Sequence, residues 1–417
     1  MAGERLETLY DEVARCNRCG FCQSACPVLR VTGDESSVAR GRIAFVRAVI
    51  EEKLPLTFAS REVLYDCLLC KACVANCFPK VATPEIVLAA RAQLWERFPA
   101  RGLMRHLSKN FLTDQDRLAR LTGLLRAGAR TGVSGLLAAL RLMHLFGGAP
   151  RTADDIARDL PERSLREELP SGRSGPQDSR RPPVNYFLGC AINLALPEVG
   201  KATIRLLERL GYRVRVLENA CCGMPAYALG DLADARMLAL ENLGRLPPDD
   251  SPIVTDCSTC ASFLKDYPRL FDAGTSEHAR AEAFAGRVRD VIELIPPEAV
   301  TRQVSGLVTF HDPCHLSRYQ TLSPRARAIL RKACADYVEL PEADWCCGGA
   351  GSYSVTHAAL SARVLERKME NVRRTGAATV LTSCPACILQ LRQGARLSEL
   401  PLRVAHLTEF LVEQREP

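Results

Sequence analysis

The sequence has few aromatic residues and no long apolar run. Phe, Trp and Tyr make up only 6% of its 417 residues, and the net charge of +7 is spread along the chain. A basic stripe interleaved with aromatic residues, the usual sign of nucleic-acid binding, is therefore missing. No stretch of about 18 uncharged apolar residues occurs, so we expect no membrane-spanning helix.

Sequence motifs for organic cofactors and for nucleophilic catalysis are also missing. The chain has no Rossmann fingerprint, no Walker loop and no Ser-His-Asp arrangement. The glycine-rich stretch at residues 348–351 has neither the spacing nor the preceding strand of a nucleotide loop. No site for hydride chemistry is recognisable in this sequence.

Cysteine is the residue that the chain has in excess, with 19 copies. Hydrophobic residues make up 47% and charged residues 25%, as in an ordinary globular protein, and the length suits two or three domains. Residues 1–10 are polar and lack the apolar core of a secretory signal. We therefore expect reduced thiols in a cytoplasm, where so many cysteines indicate metal ligation rather than disulfides.

Two cysteine motifs of identical spacing lie near the N-terminus. Each has three cysteines at intervals of three residues and a fourth cysteine four residues later. Bacterial ferredoxins bind [4Fe–4S] clusters with this spacing, and the fourth cysteine ligates the other cluster. Structural zinc, the alternative, would leave the third closely spaced cysteine without a role. The predicted ligands are Cys16, Cys19, Cys22 and Cys77 for one cubane cluster, and Cys67, Cys70, Cys73 and Cys26 for the second.

We expect an all-α ferredoxin-like domain over residues 1–100. The segment 38–52, between the two motifs, has apolar residues at helical period, and residues 89–98 are predicted to form a closing helix. Small ferredoxins of the β type have no insertion of this length. The sequence therefore favours helices around the clusters.

The next 83 or so residues are predicted to connect this domain to the rest. Residues 101–149 are expected to be helical and basic, and residues 150–183, rich in Pro, Arg, Ser and Gly, to be a linker. The basic helices either pack on the domains or on a partner subunit, or they contact the inner face of the cytoplasmic membrane as an amphipathic helix.

From residue 184 onward the chain repeats itself, once over residues 184–298 and again over residues 299–417. The first cysteines of the copies lie 124 residues apart, the Cys-Cys-Gly motifs 125 and the Cys-x-x-Cys motifs 127, which indicates an internal duplication. Predicted strands, such as 213–217 and 337–340, alternate with helices. This alternation predicts duplicated α/β domains with parallel sheets and with cysteines just beyond the strand ends.

Each copy brings five cysteines to one predicted site. They are Cys190, Cys221, Cys222, Cys257 and Cys260 in the first copy, and Cys314, Cys346, Cys347, Cys384 and Cys387 in the second. Because a cubane needs only four thiolates, adjacent cysteines would bridge or ligate neighbouring irons of an opened cluster. The alternative is that some of them are small buried core residues.

Other residues near these motifs have more than one interpretation. Cys334 lies outside the repeated pattern and is predicted to be a core residue on a helix. His311 and His315 flank Cys314, where a histidine either hydrogen-bonds a sulfur, accepts a proton coupled to electron transfer, or is simply a satisfied structural residue. Gly223 and Gly348 are expected where the backbone must come close.

Taken together, these motifs resemble one family over nearly the whole chain. It comprises the iron–sulfur subunit of bacterial glycolate oxidase and its relatives: the lactate-utilisation iron–sulfur proteins, the anaerobic glycerol-3-phosphate dehydrogenase small subunit and the catalytic subunit of heterodisulfide reductase. The stretches that carry the resemblance are residues 19–22, 39–43, 196–200, 311–315 and 346–353. One departure is Phe78, which stands where the second motif usually has Pro.

The resemblance implies an electron-transfer subunit that takes electrons from an FAD-containing 2-hydroxy-acid dehydrogenase subunit and passes them to a quinone or another carrier. It also implies that the five-cysteine sets hold one or two further, non-cubane [4Fe–4S] clusters, as in heterodisulfide reductase. The alternative function is reduction of a disulfide at such a cluster, which the completeness of both sets favours. A zinc scaffold without redox activity is the third hypothesis.

Overall fold

The structure is a computed structural model that describes residues 6–99, 113–115, 117, 119–120, 123, 161–169, 180–300 and 303–413. The basic helices predicted over residues 101–149, and with them the proposed membrane contact, lie mostly outside the described residues, as does much of the predicted linker over 150–183. In the described part of the chain, no helix is both long and apolar enough to cross a bilayer.

Helices alone form the N-terminal region, as predicted. They are α1 (Tyr10–Ala14), α2 (Phe21–Ala25), α3 (Pro27–Thr32), α4 (Ala39–Ile50), α5 (Ser60–Tyr65), α6 (Ala72–Ala75) and α7 (Thr83–Arg97), with 3-10 turns at Leu6–Leu9 and Glu35–Ser37. The two longest, α4 and α7, pack against each other through Ile43, Val46, Ile86 and Leu94. Helix α7 begins six residues before the predicted closing helix, because Pro84 is compatible with a first helical turn.

Each copy of the duplicated region is built on a four-stranded parallel sheet. The strands are β1 (Pro183–Tyr186), β2 (Arg213–Val216), β3 (Ile253–Thr255) and β4 (Val288–Asp290) in the first copy, and β5 (Val304–Phe310), β6 (Cys334–Tyr337), β7 (Thr379–Thr382) and β8 (Arg403–His406) in the second. Their orders, β2-β1-β3-β4 and β6-β5-β7-β8, are equivalent. The predicted fold class, with duplicated α/β domains after an α-helical region, is confirmed.

Helices cover both sheets. Helix α8 (Leu165–Glu168) precedes the first copy and packs on it. The first copy contains α9 (Cys190–Ala195), α10 (Pro197–Arg209), α11 (Met224–Leu229), α12 (Leu232–Gly244), α13 (Ser258–Lys265), α14 (Ser276–Arg287) and α15 (Val291–Leu294). The second contains α16 (Cys314–Ser317), α17 (Ser323–Ala333), α18 (Tyr353–Thr356), α19 (Ala358–Thr375), α20 (Pro385–Leu397) and α21 (Leu407–Val412), and 3-10 turns lie at Tyr267–Leu270 and Pro297–Ala299. Because helices flank the sheets, strand residues such as Val254 and Val380 are fully buried.

The structure corrects the predicted elements at two places. Each sheet has a fourth strand, β4 or β8, that the sequence pattern did not reveal. Strand β6 begins at Cys334, three residues before the strand predicted over 337–340, so Cys334 is a strand residue and not a helical one. The exposed face of this edge strand is polar at Asp336, which hides the strand pattern. Cys334 is buried, and burial alone raises its pKa to about 12.

The helical region packs on both copies. Three tyrosine hydroxyls donate hydrogen bonds across these boundaries to main-chain carbonyls: Tyr65 to Leu229 at 2.7 Å, Tyr319 to Leu69 at 2.6 Å and Tyr353 to Asp66 at 3.1 Å. The two copies share one apolar core, and α10 packs on α21. The described parts of all three regions are therefore in direct contact, which brings their cysteines near one another.

Candidate metal centres

The two ferredoxin-like motifs fold into loops of the same backbone conformation. In the first loop Arg18 and Gly20 have φ values of 55° and 87°, and in the second loop Leu69 and Lys71, at the equivalent positions, have 53° and 57°. Three of these four residues carry side chains that disfavour this left-handed conformation by about 1–2 kcal/mol each. Because the same unfavourable conformation occurs in both loops, we infer that both loops wrap a similar ligand.

The four cysteines of the second predicted quartet line one narrow cavity. Cys26, Cys67, Cys70 and Cys73 lie around it together with Arg42. Burial raises the pKa of Cys73 well above its ordinary value, and the neighbouring Cys67, Cys70 and Cys26 thiols raise it further. The fourth cysteine of the first motif thus lies beside the first three of the second, as the ferredoxin pattern predicts.

The first predicted quartet lies nearer the surface. Cys19 is exposed, and Cys16, Cys22 and Cys77 are half-buried. Burial raises the pKa of Cys22, and the neighbouring Cys16 thiol contributes to the rise. Cys16 and Cys77 pack against the same apolar core. This quartet is therefore the one that solvent or a partner reaches most directly.

A buried arginine beside the second quartet escaped the sequence analysis. The Arg42 side chain is almost fully buried, its Nε donates to the Val63 carbonyl at 2.7 Å, and one terminal nitrogen has no partner among the described residues. Its charge opposes the rise in the pKa of Cys26 that burial causes. A signal was present, since Arg42 lies on the same face of α4 as Val46 and interrupts an apolar stripe.

In the first copy the five cysteines form a connected series. The Cys190 and Cys221 sulfurs lie 3.9 Å apart, and the Cys257 sulfur accepts a hydrogen bond from the Cys260 main chain at 3.3 Å. Hydrogen bonds from Cys221 and Cys260 lower the pKa of Cys222 to about 5. The order of contacts is therefore Cys190, Cys221, Cys222, Cys260, Cys257.

The second copy repeats this order with its own cysteines. Hydrogen bonds from Cys346 and Cys387 lower the pKa of Cys347 well below its ordinary value, as at Cys222 in the first copy. The hydrogen bond with Cys346 raises the pKa of Cys314 well above its ordinary value. The contacts therefore run through Cys314, Cys346, Cys347, Cys387 and Cys384. The structure brings together all five cysteines that the sequence assigns to each copy.

The cysteine sets also meet one another at two junctions. At the first, the hydrogen bond with Cys346 raises the pKa of Cys70 well above its ordinary value. At the second, hydrogen bonds from Cys257 and then Cys387 lower the pKa of Cys384. The cysteines thus form one file from the ferredoxin-like region through the second copy to the first, an order that the sequence did not predict.

Arg318 lies at the junction between the ferredoxin-like region and the second copy. Its Nη1 donates to the Cys70 carbonyl at 3.2 Å and its Nη2 to Asp344 at 2.7 Å, while its Nε has no partner among the described residues. Burial lowers the pKa of Arg318, but the Cys70 thiolate charge and its neighbours raise it on balance. Arg318 occurs four positions after Cys314, where no sequence motif marked it as a functional residue.

The two histidines beside Cys314 have different surroundings. The His315 Nδ1 lies 2.6 Å from the Ser262 hydroxyl, and its ring stacks on Tyr319, so His315 is a satisfied structural residue. A ring nitrogen of His311 lies within 4.8 Å of the Cys347 and Cys387 sulfurs. Both ring nitrogens of His311 lack a hydrogen-bond partner in the described chain, and burial lowers its pKa to about 3.

The glycines after both Cys-Cys pairs adopt the left-handed conformation, with φ of 92° at Gly223 and 83° at Gly348. A Cβ atom at Gly348 would lie 2.8 Å from the Ser361 carbonyl oxygen. At Gly223 the nearest atom would be 3.4 Å away. The predicted close approach of the backbone is therefore found at Gly348, whereas Gly223 is required for its conformation.

These thiols suit iron–sulfur clusters. The cysteines are free of disulfides throughout the described chain. Contacts between these buried thiols raise the pKa of some, such as Cys70 and Cys314, and lower that of others, such as Cys222 and Cys347. A bound metal cation would stabilise the thiolate form of all of them. Sets of four or five thiols, with unpartnered nitrogen donors nearby, match the sulfur-rich and net-negative character of such clusters.

Comparisons with known proteins agree with this interpretation. Residues 12–81 match the family described as 4Fe-4S dicluster domain, and residues 184–265 and 308–392 match the family described as Cysteine-rich domain. The chain is 27% identical over 419 residues to the probable glycolate oxidase iron-sulfur subunit of Bacillus subtilis, covering 96% of this chain and 94% of that protein. It is 26% identical over 419 residues to the glycolate oxidase iron-sulfur subunit of Escherichia coli, covering 97% and 94%.

A shorter relative is more similar in sequence. Lactate utilization protein A of Geobacillus kaustophilus is 32% identical over 236 residues, which cover 55% of this chain and 98% of that protein. The resemblance expected from the motifs is therefore confirmed. The chain belongs to the family of iron–sulfur proteins that join a 4Fe-4S dicluster domain to cysteine-rich domains, the family of the glycolate oxidase iron-sulfur subunits and of lactate utilization protein A.

Proposed function

We propose that the chain is the electron-transfer subunit of a flavin-dependent 2-hydroxy-acid dehydrogenase, with glycolate or lactate as substrate. The names of its relatives support an oxidoreductase subunit of this type. The observation that carries the proposal is the file of cysteine sets, which runs from exposed Cys19 through the junctions at Cys70 and Cys384 to half-buried Cys190. A protein that only transfers electrons needs such a file and no substrate pocket of its own.

We assign one cubane [4Fe–4S] cluster to each ferredoxin-like quartet and one or two further, non-cubane clusters to the five-cysteine sets. When bound, these clusters supply one-electron transfer. The chain itself holds the sulfur ligands at fixed positions and excludes water, because eight of the ten cysteines in the two five-cysteine sets are buried. Arg42 and Arg318 place positive charge beside the second quartet, which stabilises a net-negative cluster.

The partner in this proposal is an FAD-containing subunit that oxidises the 2-hydroxy acid. It is needed because the chain has no recognisable site for hydride chemistry. The choice of substrate then depends on that partner. The electron acceptor is a quinone or another carrier, and we place the chain in the cytoplasm, peripherally at the inner face of the membrane when the acceptor is a quinone.

Substrate-driven reduction tests the proposal. The chain is purified anaerobically, alone and in complex with its flavin subunit, and each preparation receives glycolate or lactate. We expect bleaching of the iron–sulfur absorbance only in the complex. Reduction of the isolated chain by the acid, or a complex whose flavin is reduced while the chain stays oxidised, would contradict the proposal.

Reduction of a disulfide is the second candidate function. It is favoured by the contact between Cys257 and Cys384, which joins two complete five-cysteine sets. Two electrons and two protons would convert one disulfide into two thiols. However, both cysteines at this contact are buried, and only Cys190 and Cys314 of the ten are half-buried. Release of thiols from a low-molecular-weight disulfide by the reduced chain, without the flavin subunit, would favour this candidate over the relay.

A further inference from the structure

The second cysteine-rich copy contains a buried polar side chain whose interactions are incomplete. The His311 side chain is 1% exposed, and its position is fixed by a main-chain hydrogen bond from its N–H to the Leu381 carbonyl at 2.9 Å. Neither ring nitrogen has a hydrogen-bond partner among the described residues. The Ala343 carbonyl accepts the Asp312 N–H at 3.1 Å and also lies near the His311 ring, where it raises the pKa of the imidazole, but no ring nitrogen meets it in hydrogen-bond geometry.

A buried imidazole without partners is costly to the protein. An unsatisfied buried polar group destabilises a fold by about 1–3 kcal/mol, so such groups normally have a partner. A ring nitrogen of His311 and the Cys347 and Cys387 sulfurs all lie within 4.8 Å of one another. The missing partner is therefore best sought in the group that these cysteines hold.

The first copy provides the matched comparison. Phe187 occupies the position three residues before Cys190, as His311 does before Cys314. Phe187 is 1% exposed and packs in the same apolar cluster as Cys221, Cys222 and Cys257. The two sites thus have equivalent sets of five cysteines, but at this position the second copy has a ring that can donate a hydrogen bond and the first copy has one that cannot.

We propose that His311 donates an N–H hydrogen bond to a sulfur of the cluster in the second copy and thereby makes that cluster easier to reduce than the cluster in the first. Hydrogen bonds to sulfur stabilise the additional negative charge of a reduced cluster, which raises its reduction potential. This inference rests on the proposed presence of clusters in both copies. His311 is a positioning and tuning residue in it, since the cysteines alone supply the ligands.

The location of the second copy determines the order in which the two clusters are reduced. The second site lies between the ferredoxin-like quartet at Cys70 and the first site at Cys257. An electron that comes from the ferredoxin-like region therefore meets the more easily reduced cluster first. The cluster in the first copy is reduced after it, so the two equivalent sites fill in a defined order.

Exchange of the two residues tests the proposal. Redox titrations of the anaerobically purified chain, followed by electron paramagnetic resonance, compare the wild type with His311→Phe and Phe187→His. We expect His311→Phe to lower the midpoint potential of one cysteine-rich site, with iron content and ferredoxin-type signals unchanged. Phe187→His should raise the midpoint of the other site, and His311→Gln, which keeps an N–H donor, should restore part of the lost potential.

A histidine of the same copy serves as the control. His315→Gln should leave both midpoints unchanged, because the His315 ring is bound to Ser262 and not to a sulfur. Unchanged midpoints in both exchange variants, with iron retained, would overturn the proposal. So would strong nitrogen hyperfine coupling in the wild type, lost in His311→Phe together with the iron of one cluster, since His311 would then be a ligand.

The test still gives a result if one variant fails to fold or if the wild type contains no iron. If His311→Phe fails to fold, the reciprocal variant Phe187→His carries the test, and an unchanged midpoint of the first site overturns the proposal. If the wild type itself contains zinc and no iron, the proposed function fails as well, and this result is recognisable before any variant is compared.

Discussion

The two cysteine-rich copies share their ligands and differ in what surrounds them. Both have equivalent strand orders, the same cysteine motifs at nearly the same spacing and the same order of sulfur contacts. Around the second set lie His311, Trp345 and Arg318, each with a buried nitrogen that has no partner among the described residues. The residues at the same positions of the first copy are Phe187, Ala220 and Leu194.

This difference follows from position in the molecule. The second copy lies between the ferredoxin-like region and the first copy, so its cysteines contact cysteines on both sides. More negative charge gathers there when clusters are bound, and nitrogen donors offset it. The duplication therefore conserved the metal-binding geometry, while the polar surroundings diverged with the place of each copy in the file.

Replacement of the two cysteines at the contact between the copies gives the largest expected effect. Cys257→Ser should remove about four irons, those of the first site alone, and leave ferredoxin-type signals intact. Cys384→Ser should remove the second site and also prevent reduction of the first through the ferredoxin-like region. Iron analysis and electron paramagnetic resonance measure both. If Cys257→Ser lost all of its electron paramagnetic resonance signals together, the proposal of separate clusters would be contradicted.

Arg91 tests how the ferredoxin-like region is held on the first copy. Its buried guanidinium donates to the carbonyls of Leu64 at 2.7 Å, Cys67 at 2.6 Å and Ala228 at 2.6 Å. Arg91→Met removes the hydrogen bonds to all three carbonyls, so we expect a loss of about 3 kcal/mol in unfolding free energy. Arg97→Met, which removes one such bond to Leu56, should cost about 1 kcal/mol in the same denaturant titration. Equal losses would show that the Arg91 hydrogen bonds, including the one to Ala228 of the first copy, add no more stability than the single bond of Arg97.

Arg318→Leu gives the second copy the residue of the first at this position. The variant removes a positive charge beside Cys70, Cys314 and Cys346, so clusters there should become harder to reduce. We expect the free energy of reducing such a cluster to become less favourable by about 1–2 kcal/mol, the size of one interaction between partly buried charges. A midpoint titration measures it, and Arg318→Lys should retain most of the wild-type potential. An unchanged midpoint potential in Arg318→Leu would show that the Arg318 charge does not influence a cluster.

The glycines of the Cys-Cys-Gly motifs give the smallest expected effect. Gly223→Ala and Gly348→Ala both put a side chain into the left-handed conformation, at about 1–2 kcal/mol. Gly348→Ala also places its Cβ 2.8 Å from the Ser361 carbonyl, so the second copy should lose more stability than the first. Thermal unfolding of both variants measures the difference. A larger loss in Gly223→Ala would contradict this assignment of close contacts.

The cysteine sets were predictable because short spacings determine local geometry. The repeated intervals of the ferredoxin-like motifs indicated loops, and both loops have left-handed φ values at the equivalent positions. The nearly constant separation of the cysteine motifs in the two copies likewise predicted equivalent sheets. In these cases a single loop or strand end determines where each sulfur lies.

The junctions and some elements were not predictable. Cys70 meets Cys346, and Cys257 meets Cys384, only because whole domains pack together, and no local pattern records that packing. Strand β4 has three residues and directly follows α14, which leaves no turn signal to mark it. Arg42 is a different case, since a charged residue on an apolar helix face was a visible signal.

The most direct measurement of the central claim is the metal content of the anaerobically purified chain, combined with its electron paramagnetic resonance spectrum after reduction. The account predicts about 12–16 irons with matching sulfide, and signals of neighbouring clusters that interact magnetically. A colourless chain that contains zinc instead of iron, and still supports turnover of the hydroxy-acid dehydrogenase complex, would contradict it.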